Sequence, residues 1–205
     1  CPFCGCGCSI CLEIKNSRLV RVRPGNKSPV NQGALCVRGS YGYDFVHSPE
    51  RLSSPLIKIN GNFQSVPWEQ ALTRITTEFR QIKEKYGPDS LAILGSSKCT
   101  NEENYLLQRL ARAVLGTNNI DNGSRLYSSA NLVGLGWTIG FSGTTSSLNE
   151  LERSGVIMVI GADPTASAPV VGYAIKRAAK YKGAKLLLVD PRRTKLASFS
   201  YIWLR

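Results

Sequence analysis

The sequence predicts an α/β protein with a small β-rich lobe and a larger domain built on a parallel sheet. The first 55 residues are rich in Gly and Pro and lack helical periodicity. Further along, a strand at 156–160, a helix at 169–182 and a strand at 185–190 form a β-α-β unit, which implies parallel strands and a right-handed crossover. We therefore predict two domains: a small β-rich lobe at 1–55 and a Rossmann-like α/β domain at 56–205.

The remaining elements follow from local patterns. Residues 11–23 alternate like two strands, with Asn16-Ser17 as the turn between them. Helices are predicted from Pro67 to the Gly87-Pro88 stop and over 101–115, with a short strand at 90–94 between them. Residues 123–150 are rich in Gly, Ser, Thr and Asn and predict a long functional loop with little regular structure.

Charge and hydropathy restrict the kinds of partner. The formal net charge is +12, but the 26 Lys and Arg are spread along the chain. Nucleic-acid binding usually needs a concentrated patch or a recognisable module, so we expect no nucleic acid and favour a solvated surface, or a docking face for an acidic partner or an anionic cofactor. No apolar run approaches the ~20 residues of a membrane span. Cysteine usage and the lack of a recognisable leader favour a cytoplasmic location.

The cysteines are crowded at one end of the chain. Five of the seven lie within the first eleven residues. Disulfide scaffolds of secreted proteins distribute cysteines along the chain, and an odd number leaves one unpaired. This crowding therefore points to a metal site.

The spacing of four cysteines favours an iron–sulfur cluster. Cys1, Cys4, Cys8 and Cys36 form the pattern Cys-x2-Cys-x3-Cys-x27-Cys, in which one loop supplies three thiolates and a distant segment supplies the fourth. Zinc is the alternative, but zinc sites usually pair two short Cys-x2-Cys knuckles. We predict a [4Fe–4S] cluster on these four cysteines.

The other cysteines and the single histidine are expected to have structural roles. Cys6 could replace a ligand if the register shifted, although a small loop residue is the simpler interpretation. Cys11 is surplus, Cys99 is expected to be a buried small hydrophobe, and His47 is expected to be structural.

Several long motifs carry a family resemblance. The segments "CPFCGCGC" and "GALCVRGSYGYDFVHSPERLSSPLI" resemble the amino-terminal region of formate dehydrogenase catalytic (alpha) subunits, which are molybdopterin oxidoreductases using molybdenum or tungsten. The resemblance continues through "GSSKCTNEENYLLQRLARAVLGTNNID", "VIMVIGADPTASAPV" and "AKLLLVDPRRTKLASFSYIWL", and it spans essentially the whole chain.

The resemblance implies specific roles for cofactor-binding residues. In the family the four cysteines hold a [4Fe–4S] cluster beside a bis-pterin metal cofactor, and Arg38 matches the basic residue between cluster and pterin. Gly161 matches the strand end facing a pterin dinucleotide. Asp190 and Arg192 match the element that touches its nucleotide end.

The sequence departs from the family where the metal and substrate would bind. Arg125 matches the arginine that pairs with formate, but Tyr127 stands at the metal-ligand position and Ser128 at the histidine position. A phenol is harder and less acidic than a thiol, and a hydroxyl cannot handle protons as an imidazole does. Asp163 stands where asparagine is usual, and Ala168 replaces a histidine.

These departures lead to three hypotheses of function. Family members extend far beyond Arg205, and the coordinated departures favour a naturally shortened relative without bound molybdopterin guanine dinucleotide, molybdenum or tungsten. We expect an electron-relay subunit that works with other iron–sulfur or flavin subunits. The alternatives are part of a formate dehydrogenase catalytic subunit, with Arg125 binding formate, and a zinc-stabilised basic scaffold.

Overall fold

The computed structural model describes residues 1–205, which form two compact units. The first unit combines residues 1–51 with 144–205, and the second contains residues 52–143. The predicted α/β class is confirmed, because helices alternate with small sheets along the chain. The domain bounds 1–55 and 56–205 stay a prediction.

The elements are short and numerous. The strands are β1 (Ile10–Lys15), β2 (Arg18–Pro24), β3 (Leu56–Ile59), β4 (Asn62–Ser65), β5 (Ile93–Gly95), β6 (Ile120–Asn122), β7 (Val156–Ile160), β8 (Lys185–Val189) and β9 (Ile202–Leu204). The helices are α1 (Val37–Tyr41), α2 (Trp68–Tyr86), α3 (Asn101–Arg109), α4 (Ser124–Tyr127), α5 (Ser129–Ile139), α6 (Leu148–Arg153), α7 (Pro164–Ser167) and α8 (Pro169–Tyr181). None of these helices is both long enough and apolar enough to cross a membrane.

The predicted hairpin near the amino terminus is present. Strands β1 and β2 pair antiparallel, and the turn residues Asn16 and Ser17 have φ angles of 48° and 59°. Two consecutive positive φ angles are typical of the hairpin turn whose twist matches the flanking strands. The cysteine loop leads directly into β1, so the hairpin anchors one end of that loop.

The core of the first unit lies between a parallel sheet and α8. Strand β8 pairs parallel with β7 on one side and β9 on the other, so the predicted β-α-β unit is confirmed. Leu186 and Leu188 on β8 are fully buried, and Ile175 and Ala178 on α8 pack in the same cluster. Full burial of a Leu or Ile side chain contributes about 1.5–3 kcal/mol.

A buried carboxylate connects α6 to α8. Glu152 accepts hydrogen bonds from Arg177 Nε at 2.8 Å and Arg177 Nη2 at 3.0 Å, and Lys182 Nζ lies 3.3 Å away. The bond from Arg177 lowers the pKa of Glu152, with help from Lys182, although burial opposes the shift. Glu152 is therefore a charged contact that orients the crossover helix.

The second unit contains a long helix and a small parallel sheet. Helix α2 confirms the predicted helix and ends at Gly87, whose φ is 84°. The predicted strand at 90–94 is displaced: Pro88–Ser90 form a 3-10 turn, and strand β5 pairs parallel with β6. The predicted helix at 101–115 is α3 continued by a π-helical segment, Leu110–Leu115.

The prediction of a long loop at 123–150 is wrong, because most of these residues are helical. Helices α4 and α5 occupy 124–127 and 129–139, and α6 begins at Leu148. Reciprocal hydrogen bonds between Ser147 and Glu150 start α6, and Gly140 ends α5 in a left-handed conformation. Gly and Ser lower the intrinsic helix propensity of this segment, which is why a loop was predicted. Propensity predicts helices only weakly, and capping residues at the helix ends can outweigh it.

Removing the charge of Glu152 is expected to weaken the first unit in a pH-dependent way. Glu152→Gln should lower the free energy of unfolding at pH 7 by about 1 kcal/mol, because charged hydrogen bonds to half-exposed partners are lost. Since its folded-state pKa is depressed, the difference from wild type should persist above about pH 5 and shrink below about pH 4. Urea unfolding at several pH values measures that difference.

The matched control is Glu13→Gln, which removes the exposed ion pair of Glu13 with Arg23 in the same unit. It should change the free energy of unfolding by only a few tenths of a kcal/mol. Equal effects of the two variants at pH 7 would contradict the role assigned to Glu152.

Candidate iron–sulfur site

The cysteine loop folds back on itself before β1 begins. The backbone nitrogen of Cys1 donates to the carbonyl oxygen of Cys8 at 2.9 Å, which closes the loop. Gly7 has a φ of +74°, a conformation that favours glycine, so it allows the reversal just before Cys8. Cys8 is buried, while Cys1 and Cys4 are half-buried.

A buried amide joins this loop to the segment that precedes Cys36. Asn31 is 2% exposed. Its Oδ1 accepts from the Ser9 N–H at 3.0 Å, and its Nδ2 donates to the carbonyls of Ser9 at 3.2 Å and Ala34 at 2.8 Å. The sequence analysis missed this residue, because a single asparagine carries no pattern that reveals a partner 22 positions away.

The close approach of the loop to the end of α1 requires a glycine at Gly42, whereas Gly39 leaves ordinary contact distances to Cys1. A Cβ on Gly42 would lie 2.5 Å from the ring of Phe3, and a Cβ on Gly39 would lie 3.6 Å from Cys1 Sγ. Larger residues at Gly42 would therefore displace Phe3, which stands between two cysteines of the loop. The sequence analysis also missed both glycines.

The environment of Cys36 favours its thiolate. Cys36 is buried immediately before α1. Burial raises the pKa of its thiol, but hydrogen bonds from the backbone of Gly39 and Arg38, together with the Arg38 guanidinium, outweigh burial and lower the pKa. Thiolate is the form that binds metals, so this position is prepared to act as a ligand.

The other thiols of the loop crowd each other. Burial raises the pKa of Cys8 to about 11, and the neighbouring thiols of Cys6, Cys4 and Cys36 add to the rise. The pKa of Cys6 is also raised by burial, although hydrogen bonds from Cys8 and the Val171 backbone oppose this rise. Several thiolates can coexist in so small a volume only if bound cations offset their repulsion.

The donor set fits an iron–sulfur cluster. All seven cysteines are free thiols, and four of them (Cys4, Cys6, Cys8 and Cys36) interact electrostatically. Cys1 Sγ lies beside the first turn after Cys36. No group of three or more His, Cys, Asp or Glu side chains is already gathered around a single-ion site. The ligand set Cys1, Cys4, Cys8 and Cys36 stays a prediction, and Cys6 interacts with the same group through a hydrogen bond with Cys8.

Arg38 links the cysteine site to the loop after β7. Its Nη2 donates to the carbonyl oxygens of Ala166 and Ser167, each at 3.1 Å. These carbonyls belong to the turn of α7, whose start is capped by Asp163 through a 3.1 Å bond from the Thr165 N–H. Arg38 is thus held between two parts of the first unit instead of lying free on its surface.

The ends of β7 and β8 bring together the predicted dinucleotide residues. Gly161 has a φ of 59° and donates to the Val189 carbonyl at 2.8 Å. Asp190 is 2% exposed and accepts from the Arg192 N–H at 2.8 Å and Arg192 Nε at 3.3 Å. This pairing lowers the pKa of Asp190 and raises that of Arg192, to which Asp163 also contributes. Their role in binding a nucleotide stays a prediction.

In the second unit, Arg125 and Tyr127 have partners of their own. Arg125 forms an ion pair with Asp121, and Tyr127 is 62% exposed with its hydroxyl 3.4 Å from Ser97 Oγ. Hydrogen bonds with Ser97 and Ser124 lower the pKa of Tyr127. Ser128 uses its backbone N–H to close the turn of α4.

The remaining predicted residues have structural surroundings. His47 Nε2 accepts from the Leu19 N–H at 2.8 Å, and Ala168 lies at the start of α8. Cys11 is exposed on β1. Cys99 was predicted to be a buried small hydrophobe but is only half-buried, because it lies in the turn before α3, where the chain runs near the surface.

Replacing one predicted ligand is expected to abolish cluster binding. Cys36→Ser should remove the bound iron and sulfide, because a hydroxyl is a poor substitute for a thiolate. The measurement is iron and acid-labile sulfide per chain in anaerobically purified protein. Cys11→Ser and Cys99→Ser are the matched controls and should keep both.

Variants of the amino-terminal loop separate its two candidate ligands. Cys1→Ser should lose the cluster and Cys6→Ser should keep it. The reverse result would show that Cys6 is a ligand in place of Cys1. An unchanged iron content in Cys36→Ser would contradict the site itself.

Comparison with known proteins agrees with this architecture. Residues 1–48 match the molybdopterin oxidoreductase Fe4S4 domain, and residues 51–205 match the molybdopterin oxidoreductase family. In Bacillus subtilis, "Probable oxidoreductase YjgC" is 42% identical over the whole chain, and "Putative formate dehydrogenase YrhE" is 40% identical. Each match covers 21% of the relative, so the chain spans about a fifth of the length of these proteins.

A solved structure supports the fold. The acetylene hydratase of Pelobacter acetylenicus superimposes with a TM-score of 0.80 over 99% of this chain and 28% of that protein, at 23% identity. The matches over residues 1–48 and 51–205 show that the chain belongs to the molybdopterin oxidoreductase family, with the family's Fe4S4 domain at its amino-terminal end.

Proposed function

We propose that this chain relays single electrons through one [4Fe–4S] cluster inside a larger cytoplasmic redox complex, and that its own residues no longer complete a metal–pterin substrate site. The observation that carries the proposal is the convergence of thiols from two distant segments in a domain of the Fe4S4 type. That domain match favours iron–sulfur over zinc. Other iron–sulfur or flavin subunits would exchange electrons with it, without involvement of nucleic acid or a membrane span.

The residues around the thiols suit this task. The cluster, when bound, supplies a centre that takes up and releases one electron. Cys1, Cys4, Cys8 and Cys36 would hold it. Hydrogen bonds to sulfur and burial set the potential of such centres. The backbone N–H groups near Cys36 and the Arg38 guanidinium would stabilise the added negative charge of the reduced form.

The proposed loss of the substrate site rests on α4 and its surroundings. The hydrogen bonds of Tyr127 lower its pKa. Even as a phenolate, its oxygen would be a hard ligand at the position where the family has a soft thiolate. Arg125 is already paired with Asp121, so part of its hydrogen-bonding capacity is occupied. Asp163 adds negative charge beside Arg192, where an anionic nucleotide would need net positive charge.

A second candidate function is formate oxidation by a longer protein that contains this chain. It is favoured by the names of relatives at about 40% identity and by Arg125 standing at the family's formate-binding position. Arg125 would then have to leave Asp121 to bind formate. Formate-dependent dye reduction that disappears in Arg125→Ala would support this candidate.

Metal content distinguishes the two functions. The native complex, purified anaerobically, should contain at least about four irons and four sulfides per copy of this chain, and Cys36→Ser should lower each count by about four. It should contain no molybdenum or tungsten in proportion to this chain, because Tyr127 and Ser128 cannot replace a thiolate and an imidazole.

The measurement is elemental analysis of the intact complex, with the chain quantified in the same sample. Molybdenum or tungsten at one per chain would contradict the relay proposal and establish the second candidate. Zinc without iron would contradict both.

A further inference from the structure

One face of α8 forms a groove lined by cations and aromatic rings. The groove has a volume of about 230 Å³ and is called the basic groove below. Its lining residues are Tyr173, Lys176, Arg177, Lys180, Tyr181 and Phe199. None of them takes part in the cysteine site or in the dinucleotide region.

Three of the six residues that line this groove are cations, namely Lys176, Arg177 and Lys180. Residues 173–205 contain nine lysines and arginines and a single carboxylate, Asp190. Asp190 pairs with Arg192, and Glu152 from α6 pairs with Arg177 and Lys182. The charges of Lys176 and Lys180 are left to face the groove, so its field is strongly positive.

Aromatic rings position these two lysines without neutralising them. Lys176 Nζ lies 5.6 Å from the ring centre of Tyr173 and 5.8 Å from that of Phe199, and Lys180 Nζ lies 5.1 Å from that of Tyr181. A cation–π contact reduces the mobility of an ammonium group but leaves its N–H donors available for carboxylates. Aromatic side chains such as Tyr and Phe are enriched at protein interfaces.

The groove lies on the same helix that contacts the cysteine loop. The backbone of Val171 forms a hydrogen bond with the Cys6 thiol near the start of α8. At 1.5 Å per residue, Lys176 lies roughly 8 Å and Lys180 roughly 14 Å further along the helix axis. A protein docked on the groove would therefore lie roughly 8–14 Å along the helix axis from the end of α8 that contacts the cysteine loop.

We propose that the basic groove is the docking site of a small acidic electron-transfer protein, an inference that rests on the proposed relay function. One electron passes from the reduced centre of the partner to the oxidised cluster, and no bond or proton is transferred. Electron-transfer encounters use small, transient interfaces in which complementary charge accelerates association. Nucleic acid fits less well, because binding through phosphates usually uses a longer track of cations than this single helix face presents.

The test uses a small acidic [2Fe–2S] ferredoxin as the probe. Stopped-flow spectroscopy follows electron transfer from the reduced ferredoxin to the cluster-loaded native complex. In Lys176→Glu/Lys180→Glu the second-order rate at low salt should fall about tenfold or more. Near 1 M salt the variant and wild-type rates should converge.

The matched control is Lys58→Glu/Lys85→Glu, which changes the net charge equally. It also replaces two lysines that lie over aromatic rings, those of Phe63 and Tyr86, in the second unit. Its rate should fall by less than about threefold. Equal effects of the two double variants would overturn the docking site and leave only a general charge effect.

Two further results separate the possible failures. Iron content and reduction by dithionite are measured first, and a missing or inert cluster would overturn the relay function and the docking site together. A loaded, reducible cluster with an unchanged ferredoxin rate in Lys176→Glu/Lys180→Glu would overturn the docking site alone. Binding of a 20-nucleotide single strand that this variant abolishes, with an unchanged ferredoxin rate, would assign the groove to nucleic acid instead.

Discussion

The hydrogen bonds of the Asn31 amide are the interaction on which the rest of the first unit depends. They hold the end of the cysteine loop at Ser9 against the segment that leads to Cys36. Without this connection the two sources of thiols would have to be brought together by cluster binding alone, at the full cost of ordering both segments. A buried, fully hydrogen-bonded amide also specifies one arrangement, because breaking any of its bonds leaves a polar group unsatisfied.

Electrostatics extend this arrangement outward from the thiols. Burial and mutual repulsion oppose ionisation of Cys8, whereas backbone N–H groups and Arg38 promote ionisation of Cys36. Arg38 also reaches the carbonyls of Ala166 and Ser167, so the same cation that stabilises a thiolate fixes the turn before α8. Helix α8 then presents its own cations at the surface. The thiol site and the basic groove are therefore connected through Arg38, the turn of α7 and helix α8.

The sequence predicted those features that are carried by regular spacing. The strands at 156–160 and 185–189 are recognisable as short apolar runs, and Asn16-Ser17 is recognisable as a turn, because both signals are local. The helix α5 was missed, since its glycines suggest a loop and its end signal at Gly140 lies beyond the helix itself. The role of Asn31 and the close approach of Gly42 to Phe3 depend on contacts across distant segments, which no local pattern encodes. Cysteine spacing predicted the ligands Cys1, Cys4, Cys8 and Cys36 and ranked Cys6 below them, a choice that stays a prediction.

The most direct test of the account is a redox titration of the native complex followed by electron paramagnetic resonance. The central claim is that four thiolates hold a cluster that carries one electron at a time. The account predicts a one-electron reduction, absent from Cys36→Ser, that produces about one unpaired spin per copy of this chain, with the line shape of a reduced iron–sulfur cluster. The account would be contradicted if reduction produced no such spin, or if the spin belonged to molybdenum or tungsten bound by this chain.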